Sequence, residues 1–179
     1  STEVFDFSLI IPLSMLLVVG LYDDLYNLDF KLKFIFQIIA AKIIIDNGLI
    51  IDNLHGILGF FELNRIIAQL ITIFFIVAII NSINFIDGID GLAISIVSLF
   101  MILFEFFSSS DTNLYYLTVI MVFSILPLFY FNFKKENKVF LGDSGSLFLG
   151  ALTSIYVLKI LSQDYLIDSV YDMNKVLFV

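Results

Sequence analysis

Five aspartates stand in three short polar stretches of an otherwise greasy chain: GLYDD at residues 20–24, NSINFIDGIDG at 81–91 and FLGDSGS at 140–146. Asp23 and Asp24 are adjacent carboxylates, which repel each other unless a cation or a proton compensates. A divalent metal is the natural compensator, and an acidic pair that merely ends a helix in water is the plainer alternative. In the second stretch Asn81, Asn84, Asp87 and Asp90 recur every three residues, so on a helix they form one polar edge. Gly88 and Gly91 give that edge the freedom of a bent, partly unwound end and let a ligand approach the backbone. In the third, Asp143 lies between Gly142 and Gly145, and a helix opens at Ser146. The amides of residues 144–147 can then face an anion while Asp143 holds a hard cation, although a simple N-cap uses the same residue type. Mg²⁺ suits such a set, because it takes oxygen ligands and binds through one or two carboxylates together with substrate phosphates. Phe140, by its spacing alone, reads as lipid-facing bulk in preference to a platform for a flat base.

The elements that must position these residues are membrane helices. The chain is 60% hydrophobic, has a mean hydropathy of +1.05, is 15% charged and carries 21 phenylalanines, which no soluble domain of 179 residues would tolerate. It has no cysteine, so thiolate metal sites, disulfides and cysteine nucleophiles are excluded. A net charge of −8 argues against nucleic acid as a partner. Ser1 is not preceded by a basic and apolar leader, so no signal peptide is read, and the chain reads as an internal piece of a longer protein.

Apolar runs at 7–22, 34–45, 66–80, 92–107, 114–131 and 147–161 predict an all-α integral membrane bundle of about six transmembrane helices, a single domain over 1–179. Gln37 and Lys42 interrupt the second run; Lys42 either snorkels to the nearer interface or faces the bundle interior. Two helices separate the first motif from the second, and two more separate the second from the third, so all three emerge on one face. Lys31, Lys33 and the group Lys134, Lys135 and Lys138 share that face and favour its being cytoplasmic. On the opposite face residues 46–64, with Gly48, Gly56 and Gly59, suggest a small surface hairpin, and the sole histidine, His55, reads as structural there.

In these three motifs, in order and nearly in spacing, the chain resembles the polyprenyl-phosphate N-acetylhexosamine-1-phosphate transferases, integral membrane glycosyltransferases of family 4. The matching residues are 20–24 with Lys33, NFIDGIDGLA at 84–93 and VFLGDSGSLFLG at 139–150. The resemblance implies transfer of a sugar 1-phosphate from a UDP-N-acetylhexosamine to undecaprenyl or another polyprenyl phosphate, with release of UMP, at the start of cell-envelope or lipopolysaccharide synthesis. The second motif is more similar to the branch that uses UDP-N-acetylglucosamine. It further implies Mg²⁺ held by Asp143 with Asn84, and Asp23 and Asp24 as the catalytic pair, taking a proton from the lipid phosphate or completing the metal site. Asp87, Gly88, Ile89, Asp90 and Phe140 would bind the donor, with the last four around uridine, and Lys33 would meet a phosphate. A plasma (inner) membrane location with a cytoplasmic active face follows from the same resemblance, and a homodimer is compatible with it. Family members have further helices before the first motif and a histidine-rich loop after the third. Their absence here makes a catalytically incomplete homologue the first alternative. A cation carrier using intramembrane carboxylates is the second, disfavoured because the acids cluster at one interface and Glu105, the remaining acid within a span, lies near the far end.

Overall fold

The computed structural model describes residues 7–54, 62–107, 114–133 and 139–162. The lysines 134, 135 and 138, His55 with the rest of 55–61 in the expected hairpin, and the polar tail fall outside the described residues. A 3₁₀ turn, Phe7–Leu9, leads into α1 (Ile10–Tyr26), followed by α2 (Phe30–Asp46), α3 (Arg65–Ile86), α4 (Leu92–Phe107), α5 (Tyr115–Asn132) and α6 (Gly142–Ser162). Four helices, α1 with its preceding turn, α3, α5 and α6, are long and apolar enough to cross a membrane. α4 is a shorter apolar helix, and α2 is continuous through Gln37 and Lys42. The chain is a multi-pass membrane protein.

Local chemistry accounts for where the helices start and stop. Asn27 closes α1 in the left-handed conformation, at φ 51°, which asparagine adopts more readily than most residues. Asp29 and Asn64 cap α2 and α3 by accepting from Lys31 N and Ile66 N. Lys42 takes the exposed option: it pairs with Asp46 one turn on and stays in contact with solvent. Between α2 and α3, Leu49 and Ile51 turn back into the bundle, and the Thr72 hydroxyl accepts from Ile51 N at 3.0 Å. Of the hairpin, one antiparallel bridge between Asn53 and Glu62 is present among the described residues.

The bundle is organised around α6, which packs against α1 on one side and α3 on the other, while α2 lies across both of those. α4 and α5 form a pair joined to the rest through α6 and α3. What places α6 at the centre is side-chain size rather than greasiness, since close helix approach in a membrane depends on small residues. A Cβ on Gly20 of α1 would come within 2.6 Å of Ser144 N, and one on Gly150 of α6 within 2.7 Å of Ile80 Cα on α3. Ala151, Leu152, Ile155 and Tyr156 continue the buried face away from that contact.

Candidate active site

The alternation of short-looped helices brings the end of α1, the start of α2, the end of α3 and the start of α6 to one end of the bundle. Asp23 is buried there and Asp24, one residue and about 100° further round the helix, is exposed. The reversal at Asn27 returns the chain so that Leu28 N donates to Asp23 Oδ1 at 2.6 Å, and it carries Lys33 over the same carboxylate in an ion pair. Lys33 Nζ also lies 3.4 Å from Asp143 Oδ1.

Asp24 reaches across 119 residues of sequence to α6. Its two oxygens accept from Asp143 N at 2.8 Å and Ser144 N at 3.0 Å. Of the amides of 144–147 expected to face an anion, that of Ser144 thus holds a carboxylate of the chain itself, together with that of Asp143, and Asp24 shares the capping of the α6 N-terminus with Asp87. Gly142 makes this possible: its φ is +69°, and a Cβ there would sit 3.0 Å from Asp24 Oδ2.

From α3, Asn84 donates through Nδ2 to Asp143 Oδ1 and to Ser146 Oγ, the latter at 2.8 Å. Asp23 and Asp143 are themselves within hydrogen-bonding reach of each other. Asp87, just past the end of α3, accepts from Gly142 N at 3.1 Å. Burial lifts the Asp87 carboxyl above its ordinary value; the amides of Gly142 and Leu141 oppose this, and the charges of Asp143 and Asp24 add to it.

The structure therefore gathers six of the residues singled out in sequence, Asp23, Asp24, Lys33, Asn84, Asp87 and Asp143, into one hydrogen-bonded cluster. Gly88, Ile89 and Asp90 lie on the exposed turn after Asp87, and Phe140 is exposed two residues before Gly142. The bond between Asp87 and Gly142 N ties those two segments together. Ser146 and Gln37 were not anticipated as site residues. Ser146 shares the Asn84 amide, and Gln37 pairs with Asn81 beneath the cluster. The one sequence signal for Gln37 is its position four residues after Lys33, on the same face of α2.

Among the described residues no three acidic or imidazole groups form a metal cage by themselves. The donor set instead fits an ion that shares its coordination with phosphates. Asp23 and Asp143 offer hard oxygens side by side, and in this structure the ammonium of Lys33 supplies the positive charge between them.

The sequence that carries these three acidic motifs is similar to known proteins. The sequence profile of glycosyl transferase family 4 matches residues 7–161, nearly the whole described chain. The chain belongs to glycosyl transferase family 4. A relative from Bacillus subtilis (strain 168), described as a probable undecaprenyl-phosphate N-acetylglucosaminyl 1-phosphate transferase, is 34% identical over 145 residues. That match covers 79% of this chain and 40% of the relative. The family 4 match runs through all three motifs, so the clustered acids lie within it.

Proposed function

We propose that this chain is the catalytic membrane part of a transferase that moves a sugar 1-phosphate from a UDP-N-acetylhexosamine to undecaprenyl phosphate and releases UMP. N-acetylglucosamine 1-phosphate is the sugar phosphate the named relative suggests. The observation that carries the reading is the convergence of Lys33 and Asn84 on Asp143, with Asp23 alongside, at the membrane-interface end of a family 4 bundle. Aromatic side chains mark that end as interfacial: Tyr26, Phe30, Phe85 and Phe133 are all well exposed around it.

Phosphoryl transfer between two anions is limited by charge, so the protein's part is to position the groups and neutralise them. Asp143 and Asp23 would hold Mg²⁺, which would supply charge screening for the diphosphate and for the leaving UMP. Lys33, whose ammonium lies at Asp23 and Asp143, would present its charge to a phosphate. Asn84 would hold the Asp143 carboxylate in its orientation. Asp24, engaged by two backbone amides, is the less available base of the pair, and its role in this scheme is to fix the start of α6 beneath the reacting phosphates. Asp87 would keep the exposed 88–90 turn and Phe140 together as the nucleoside side of the site. The face is proposed to be cytoplasmic, where UDP-sugars are available.

A cation carrier would need acids near the midplane. Glu105 instead lies toward the other end, bonded by Thr118 Oγ1 at 2.9 Å, and Thr118 in turn contacts the Tyr156 hydroxyl. The chain spans 40% of the relative's length. The deciding experiment is UMP release from UDP-N-acetylglucosamine by the purified chain with undecaprenyl phosphate, with and without Mg²⁺. Release that needs both lipid and Mg²⁺, and that Asp143→Asn abolishes in a still-folded bundle, is the expected result. Release unchanged in Asp143→Asn would overturn the metal assignment, and no release with any UDP-N-acetylhexosamine would overturn the activity.

A further inference from the structure

One turn beneath the acidic cluster, Gln37 of α2 and Asn81 of α3 form a reciprocal amide pair. Asn81 Nδ2 donates to Gln37 Oε1 at 2.6 Å and Gln37 Nε2 donates to Asn81 Oδ1 at 3.3 Å. Asn81 Nδ2 also donates to Val77 O at 2.7 Å, so both of its hydrogens are engaged. Gln37 is 1% exposed, and along α2 its neighbours on the buried face are Ala40 and Ala41. Two amides so placed give little net stability, because each loses good alternatives when it is buried. Their bonds are strongly directional, however, and a buried polar pair is best attested as a device that fixes helix register.

The register fixed here is the one the site needs. α2 runs away from the acidic end and α3 runs toward it, so one turn nearer the site from Gln37 is Lys33, and one turn nearer from Asn81 is Asn84. Lys33 Nζ and Asn84 Nδ2 approach the same atom, Asp143 Oδ1. A slip of one residue in either helix turns its side chain by about 100° and takes that arm off the carboxylate.

We infer that Gln37 and Asn81 form a register clamp between α2 and α3, and that Gln37 is a positioning residue that holds Lys33 and Asn84 on Asp143. The inference deepens the transferase reading and rests on it for its catalytic consequence, while its geometric content stands without that reading.

The chain has no cysteine, so a spin-label pair at Leu32→Cys and Phe85→Cys, both exposed positions near the site ends of α2 and α3, reports their relative placement directly. In Gln37→Leu the distance distribution should broaden or shift, and UMP release should fall by roughly tenfold to a hundredfold, with the thermal midpoint close to that of the parent. The exchanged pair, Gln37→Asn with Asn81→Gln, keeps both amides and the summed length, and should restore the parental distribution and recover most of the activity lost in either single variant. If Gln37→Leu does not fold, Gln37→Met carries the same comparison. A parental distance distribution in the apolar variant would overturn the clamp, as would an exchanged pair no better than the single variants. If the parent itself releases no UMP, the transferase reading fails and the spin-label comparison alone decides on the clamp.

Discussion

Asp24 and Asp87 are the same chemical group in two settings. Asp24 is exposed and meets two amide donors at the positive end of α6, whereas Asp87 is buried, meets donors from one short segment and lies near other carboxylates. The fold therefore favours the protonated form of Asp87. Its contribution to stability is complete below 3.8, the ordinary value of an aspartate, and is lost as pH rises through the raised value it has in the fold. Asp87→Asn keeps an acceptor for Gly142 N and cannot ionise, so it should lose less stability than the parent as pH climbs through that window. Thermal melts in detergent over a pH series test this, and parallel curves for the two proteins would refute it. At this scale the sequence was informative where residues are neighbours. Asp23 beside Asp24, and Asn84 three residues before Asp87, announce a site through spacing alone. The partner of Gln37 is 44 residues away, and nothing local to either amide distinguishes a clamp from a polar interruption in an apolar helix.

Among the helices, the apolar runs located the elements. Because several runs are short for a bilayer, they imply recruitment of flanking residues, as α2 does from Phe30 and α3 does through Asn81 to Phe85. The first run stops at 22, whereas α1 continues to Tyr26, because backbone hydrogen bonding carries on through Asp23 and Asp24 after the greasy residues have finished. α3 likewise continues past 80 to Ile86 through two asparagines. Which helix is central could not be read from hydropathy, because in a membrane apolarity does not separate lipid-facing from buried surface. Glycines at the contacts decide it. Gly20→Ala would drive a methyl into the backbone of Asp143 and Ser144, and Gly150→Ala would drive one into Ile80. Each should lower stability by about 1–3 kcal/mol as α6 is pushed from its neighbour. Gly20→Ala should also reduce UMP release, because the displaced backbone is the one that Asp24 caps. Thermal unfolding of the purified variants checks the first expectation and the transfer assay the second; wild-type melting in both variants would refute the close approach.

For the molecule as a whole, counting helices was enough to put the three motifs on one face, and the bonds from Asp24 and Asn84 to α6 bear that out. Which compartment the face looks into is a separate matter and can be measured in the same cysteine-free chain. Ile89→Cys lies on the exposed turn at the acidic end, and Asp52→Cys lies at the other end, beyond α2. In intact cells a membrane-impermeant maleimide should label Asp52→Cys and reach Ile89→Cys only after lysis. The reverse pattern would overturn the cytoplasmic assignment.

The capping of α6 by Asp24 bears on how the protein is made. α6 is the last of the described helices to leave the ribosome, yet α1 and α3 close around it. Until residues 143 and 144 emerge, Asp24 has no amides to bind, Asn84 has no carboxylate to orient, and Gly20 and Ile80 face an unfilled seam. The first three helices can pack on one another and form the Lys33–Asp23 pair without it, but every bond of the site that involves Asp143 waits for the sixth helix to arrive.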